Sequence, residues 1–365
     1  MSNARELAKA GGSFGAGGFV GMKNRIINGD MRIDQRNSGA SVALTDSLNT
    51  FAADRWSVFE TCNGSLSFQQ VTDAPSGFNN SLKFTVTTAA SIVAADYCQF
   101  KTTIEGYNFA DLGFGTANAK TTTVSFWVKS SLTGQFGGSY LNSDVNRAYP
   151  FSYVISSANT WEQKTITIPG DTSGTWLTTN GVGLYLMFDL GMGSNRLGAA
   201  NAWASGDYRG AIGDTKLIQT NGATFQITGV QLEKGPQATP FEFRHYGTEL
   251  ALCQRYFVLH GTTVGGYTIT LARGFSQGNA IWRAGVNVPV PMRSTPSISY
   301  ANLVPWNSAM GANTLSSIGT VYMLNGIDLE FDCQVGTSWP TSGLPAAIQT
   351  NGSGGASYLS ISAEL

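Results

Sequence analysis

The sequence predicts an all-β protein: two antiparallel β-sandwiches, the first jelly-roll-like, joined by a short helix. Three observations lead there. Apolar residues recur at every second position over most of the chain, the signature of half-buried strands. The 44 glycines, with Asn, Ser and Pro, fall between these runs as turn residues. Charged residues make up only 12% of the chain against 42% hydrophobic ones, so a packed core is available beneath a polar, uncharged surface.

The elements follow in order. Residues 2–10 read as a short helix with Ser2 or Asn3 as cap and Glu6 in the first turn. Residues 11–21, GGSFGAGGFVG, read as a Gly-rich hinge, and 1–23 together as an attachment segment. From 24 to 245 the pattern is that of a jelly-roll sandwich. Leu82, Phe84 and Val86 alternate with polar residues, as do Val124, Phe126 and Val128. In GVGLYLMFDLG, Val182, Leu184, Leu186, Phe188 and Leu190 share one face. In ATFQITGVQLEKG the apolar parity switches across Gly229, from Phe225 and Ile227 to Val230 and Leu232, which predicts a β-bulge.

Residues 246–257 form the predicted connector. Within GTELALCQRYF, Thr248 can cap, Glu249 suits the first turn, and Leu250, Cys253 and Phe257 fall on one helical face. Residues 258–365 return to strands and predict a smaller, receptor-binding sandwich. Its last strand alternates Tyr358, Ser360 and Ser362 against Leu359, Ile361 and Ala363.

Composition excludes several functions. The net charge is −1 and no basic stripe is present, so a nucleic-acid partner is not expected, and an acidic ligand has no obvious counter-field. The first residues carry no apolar signal core and no run of 18 apolar residues exists, so membrane insertion is not expected and synthesis in a cytoplasm is. Cys62, Cys98, Cys253 and Cys333 form no CxxC and read as reduced thiols. The histidines, His245 and His260, have no partners at catalytic spacing, and the GxSxG string at 11–15 lies in the hinge rather than between strand and helix. No enzyme is expected and no cofactor, with a structural divalent cation as the one exception considered.

Two acidic groups motivate that exception. Asp328, Glu330 and Asp332 alternate in IDLEFDCQV and share one sheet face, where they could hold a cation or act as an acid/base pair; the alternative is a solvated face balanced by Arg283 or Arg293. Asp189, Asp207 and Asp214 lie near turns, where they could coordinate a hard cation or form Asx turns. For glycan binding the candidates are Trp176, Trp203 and Tyr208 in the first sandwich and Trp306 and Trp339 in the second. They are aromatics in polar, uncharged loops, where a flat ring can meet the C–H face of a sugar.

WEQKTITIPGD, GVGLYLMFDLG and GATFQITGVQLEKG resemble the jelly-roll modules of carbohydrate-binding module families. Those modules often carry aspartates in the last strand, where this chain has Gln226, Thr228 and Gly229, so their structural cation is not expected there. NRIINGDMRIDQR, AADRW (52–56), ITGVQLEKGPQATPFEFRHYGTELALCQRYF (227–257), VPMRSTPSISY (290–300) and SAEL (362–365) resemble bacteriophage and prophage tail-fibre proteins. That resemblance implies a virion component, usually a homotrimer, that attaches to a host-surface polysaccharide, with residues 1–23 docking to other tail or capsid proteins. A head fibre or decoration protein and a polysaccharide depolymerase are the alternatives.

Overall fold

The computed structural model describes residues 23–44, 50–261, 269–278, 280–307, 311–312, 314–335, 345–351 and 357–365. The expected N-terminal helix, the Gly-rich hinge and Trp339 lie outside the described residues.

Two large sheets build the first sandwich. One has six strands in the order β1 (Val42–Ala43), β4 (Ser65–Val71), β5 (Ser81–Thr88), β15 (Thr224–Lys234), β7 (Thr122–Ser130) and β10 (Glu162–Ile168). The other has seven: β13 (Ala204–Ser205), β9 (Arg147–Ile155), β8 (Gly134–Leu141), β11 (Val182–Met192), β6 (Tyr97–Glu105), β3 (Trp56–Glu60) and β2 (Thr50–Ala53). All their ladders are antiparallel. A parallel pair, β12 (Leu197–Gly198) and β14 (Gly210–Ala211), ties down a loop over the second sheet.

Strand alternation sends one set of side chains from each sheet into a shared aromatic core. Phe84 of β5 stacks on Phe100 of β6 at 4.5 Å, Phe100 on Phe188 of β11 at 4.9 Å, and Phe126 of β7 meets Phe188 edge-on at 5.2 Å. Leu184, Leu186, Phe188 and Leu190 all point into this core, as their parity predicts. The bulge is present in β15: the register against β7 shifts between Thr228 and Gln231, and Gly229 takes φ +63°.

The connector helix α1 runs Tyr246–Gln254, with His245 rather than Thr248 at its N-cap. Its buried face is Glu249 and Cys253; Glu249 accepts hydrogen bonds from the Asn28 amide and from Arg244. Phe257 is not on the helix. It opens β16 (Phe257–His260), which pairs with the last strand, β25 (Tyr358–Ser362).

The second sandwich contains a three-stranded sheet, β16, β25 and β19 (Ser297–Ala301). Facing it is a seven-stranded sheet in the order β21 (Gly311–Ala312), β20 (Leu303–Asn307), β24 (Pro345–Thr350), β17 (Thr270–Gly278), β18 (Ile281–Asn287), β23 (Asp328–Val335) and β22 (Leu315–Leu324). Trp282, Phe331 and Ile348 meet Leu359, Ile361 and Val258 between them. The four cysteines are free thiols, and Cys98, Cys253 and Cys333 are buried. No described helix is long and apolar enough to cross a membrane.

Candidate ligand-binding groove

The outer face of the seven-stranded sheet of the first sandwich carries a groove. In β6, Cys98 and Phe100 point into the core, so period 2 turns Tyr97, Gln99 and Lys101 outward. The neighbours in register extend this face: Phe59 lies opposite Gln99, and Met187 opposite Lys101. Tyr185 shares the parity of Met187 on β11. With Ser143, Val145 and Arg209, these residues line a groove of about 300 Å³.

Three rings form the apolar part. Phe59 and Tyr97 stack at 5.3 Å with an interplanar angle of 12°, and Tyr185 lies across the groove. The polar part is cationic. The Lys101 Nζ sits 4.5 Å from the centre of the Tyr185 ring, and the Arg209 guanidinium lies 4.3 Å over Tyr97. Pairing of β12 with β14 explains why Arg209 is there: it brings Arg196 and Arg209 alongside each other, the Arg209 amide donating to the Arg196 carbonyl at 2.8 Å. Asp207 accepts from Arg209 Nε at 2.7 Å and also binds Arg196. Burial, then the charge of Arg209, pull the Lys101 ammonium down to about 8. No carboxylate partners Lys101 among the described residues. Gln99 is 2% exposed, and its Oε1 has no hydrogen-bond partner among them.

The residues singled out in the sequence are placed differently. Trp176 is in the core, 7% exposed, between Phe109 and Phe114, and its Nε1 donates to the Ser173 carbonyl at 3.1 Å. Trp203 packs against Trp176, Phe114 and Tyr149, with its Nε1 donating to the Pro169 carbonyl at 2.8 Å. Both loop tryptophans have folded back onto the sandwich. Tyr208 packs on the Leu141, Ala148 and Met187 cluster. Trp306 is 40% exposed beside a shallow depression of about 260 Å³ that Arg273, Ala347 and Gln349 also line.

Asp328, Glu330 and Asp332 do share one face of β23, but they are not brought together as a cation site. Asp332 is paired with Arg283 at 2.9 Å, while Asp328 accepts from Asn287 Nδ2 at 2.5 Å. Residues at strand spacing lie about 7 Å apart, too far to share one small ion without a further element. Among the described residues no group of three or more His, Cys, Asp or Glu side chains is arranged to hold a metal. Arg293 goes instead to the Ala363 and Asn180 carbonyls. Asp207 is taken by its two arginines. Asp189 forms the Asx-type turn, accepting from the Gly191 amide at 2.6 Å, and Asp214 accepts from the Ala211 amide at 2.8 Å. Burial raises both carboxyls, Asp214 to about 6.

The groove residues were missed by sequence reasoning, though a signal existed. Tyr185 and Met187 occupy the off-core parity of β11, where a solvated face would carry small polar residues. The cationic field is a second correction: Lys101, Arg196 and Arg209 come together around the groove only after folding.

No family model and no curated protein matches the chain. Among solved structures, the enzymatically active domain of tailspike protein 4 of bacteriophage CBA120 aligns over 58% of this chain and 22% of its own, at 13% identity and TM-score 0.32. This chain therefore spans about a fifth of that one. A CBM4 structure aligns over 57% of this chain and 98% of its own, at 13% identity and TM-score 0.30. A putative sugar binding protein from Bacteroides thetaiotaomicron aligns over 58% and 100%, at 12% identity and TM-score 0.30. Similarity at this level carries no argument about function, and the fold assignment rests on the strand pairing itself.

Proposed function

We propose that this chain is a bacteriophage fibre protein that attaches to a host-surface polysaccharide by non-covalent binding, without turnover, through the groove on the first sandwich. The observation that carries the glycan part is the groove's lining. Phe59, Tyr97 and Tyr185 offer apolar ring surface beside the polar side chains of Ser143 and Gln99. Rings take up the C–H face of a sugar, and convergent polar groups orient its hydroxyls. The virion part is supported by the long resemblance of residues 227–257 to tail-fibre proteins. Homotrimer formation and docking through residues 1–23 belong to the same proposal.

Purified full-length protein tested against host-surface polysaccharide separates the two sandwiches. Tyr97→Ala and Tyr185→Ala should each weaken binding about tenfold, since a stacked ring is worth roughly 1.5 kcal/mol. Trp306→Ala should leave binding unchanged. If Trp306→Ala alone abolishes it, the receptor site lies in 258–365, as the sequence first suggested. Absence of binding to any host polysaccharide sinks the reading.

A further inference from the structure

We infer that the groove selects an acidic sugar, a carboxylate-bearing residue of uronic-acid type, held by Lys101 and Arg209 while its ring lies against Tyr185 and Tyr97. This rests on the proposed glycan-binding role and adds the charge of the ligand to it.

The argument starts from an imbalance. Lys101, Arg196 and Arg209 converge on one side of the sheet, and Asp207 is the carboxylate paired with them; it is occupied by both arginines. Asp189, on the same face opposite Gln99, is buried without an ion-pair partner among the described residues, and burial raises its carboxyl towards the neutral form. Asp144, next to the lining Ser143, is exposed to solvent, where its charge is screened. Lys101 is half-buried, and a half-buried ammonium without a counter-ion is unfavourable, because desolvation is not offset by pairing. The Tyr185 ring face compensates in part. A cation held in this way at a surface concavity lined by rings is placed to pair with a carboxylate on a ligand.

The shape narrows the anion to a sugar acid. A bare phosphate or acetate would use the two cations and leave the stacked Phe59–Tyr97 pair and Tyr185 unused. A neutral sugar would use the rings and leave Lys101 unpaired. A pyranose bearing a carboxylate uses both. Burial lowers the Lys101 ammonium's affinity for its proton, and a bound carboxylate would restore it.

The test uses full-length protein with glucuronate, glucose, acetate and a panel of uronate-containing and neutral oligosaccharides, read by NMR shifts of the groove residues and by calorimetry. Acidic members should bind at least about tenfold more tightly than neutral ones of equal length. Lys101→Gln and Arg209→Gln should each weaken binding of acidic members about tenfold more than binding of neutral ones, and Lys101→Arg should retain most of the preference. Equal binding of acidic and neutral members overturns the inference but keeps the glycan site. Acetate binding as tightly as glucuronate reduces the groove to a plain anion site and overturns it too. No binding of any saccharide, with the variants folded by circular dichroism, removes the parent reading instead.

Discussion

At the scale of single residues, Lys101 decides how the groove behaves with pH. Its ammonium titrates at about 8 because burial and then Arg209 disfavour its charge. The charged and titratable groups on its side of the sheet are Tyr185 and Asp189 from β11, Tyr97 and Glu105 from its own strand, and Arg209, Arg196 and Asp207 from the overlying loop; burial raises the Asp189 carboxyl, and Glu105 is paired with Arg255. As pH rises through about 8 the cation is lost, so affinity for a carboxylate sugar should fall between about pH 6.5 and about pH 9.5. Neutral-sugar binding should stay flat, and Lys101→Arg should flatten the acidic profile as well. A calorimetric series that shows no fall for the wild-type protein would falsify the role of Lys101. Little of this was legible residue by residue. The alternation of Tyr97, Gln99 and Lys101 with Cys98 and Phe100 was readable in YCQFK, but nothing local shows that a loop holding Arg209 will wall this face. The same non-locality misled the reading of Trp176 and Trp203: polar loop neighbours suggested exposure, while rings far away in sequence drew both side chains in.

At the scale of elements, the strands were readable where one parity is apolar throughout, as in β11 and β25, because period 2 is set by backbone geometry alone. The bulge in β15 was readable for the same reason: a parity switch needs an extra residue, and Gly229 supplies it at φ +63°. Gly229→Ala should therefore be destabilising by about 2–3 kcal/mol in denaturant titrations, from left-handed backbone strain together with overpacking. An added Cβ would stand 2.6 Å from the Phe78 ring. A change below about 0.5 kcal/mol would show that the strand can lose its bulge freely. The helix was only partly legible. Leu250, Cys253 and Phe257 fit a helical face, yet the chain leaves the helix after Gln254 because Phe257 pairs with Ser362 on the last strand. Long-range strand pairing overrode a local pattern that was otherwise acceptable.

At the scale of the molecule, buried ionic contacts join the two sandwiches. Glu364, just past β25, binds Arg55 and accepts from Arg36 Nη2 at 2.9 Å. Glu105 of β6 takes Arg255 at 2.7 and 2.9 Å and the Tyr256 hydroxyl at 2.6 Å. Arg55 is 3% exposed, so Glu364→Ala would strand its guanidinium and should lower stability by about 3–5 kcal/mol in chemical unfolding; a loss under about 1 kcal/mol would mean water reaches Arg55 freely. The same preference for burying charge sets the response to acid. Burial raises Asp54 to about 6, Asp214 to about 6, Glu60 to about 8, and Asp189 also upward. A carboxyl with a raised folded pKa binds more protons in the native state than in the unfolded one, so each of these makes the fold less stable as pH rises from about 4 towards 8. Glu105 and Asp73 act in the opposite direction. Burial pushes Glu105 up, but Arg255 and Tyr256 outweigh it, and the Lys129 hydrogen bond holds Asp73 down. Their contribution is present above the ordinary carboxylate range and is lost as pH falls below about 4. The melting temperature should therefore be higher near pH 5 than near pH 8 and should drop again below about pH 4, as measured by scanning calorimetry. Asp54→Asn, which removes one of the raised groups, should flatten the slope between about pH 4 and about pH 6. A wild-type melting temperature that climbs steadily from pH 5 to pH 8 would show that these carboxyls are ionised and well solvated in the folded protein.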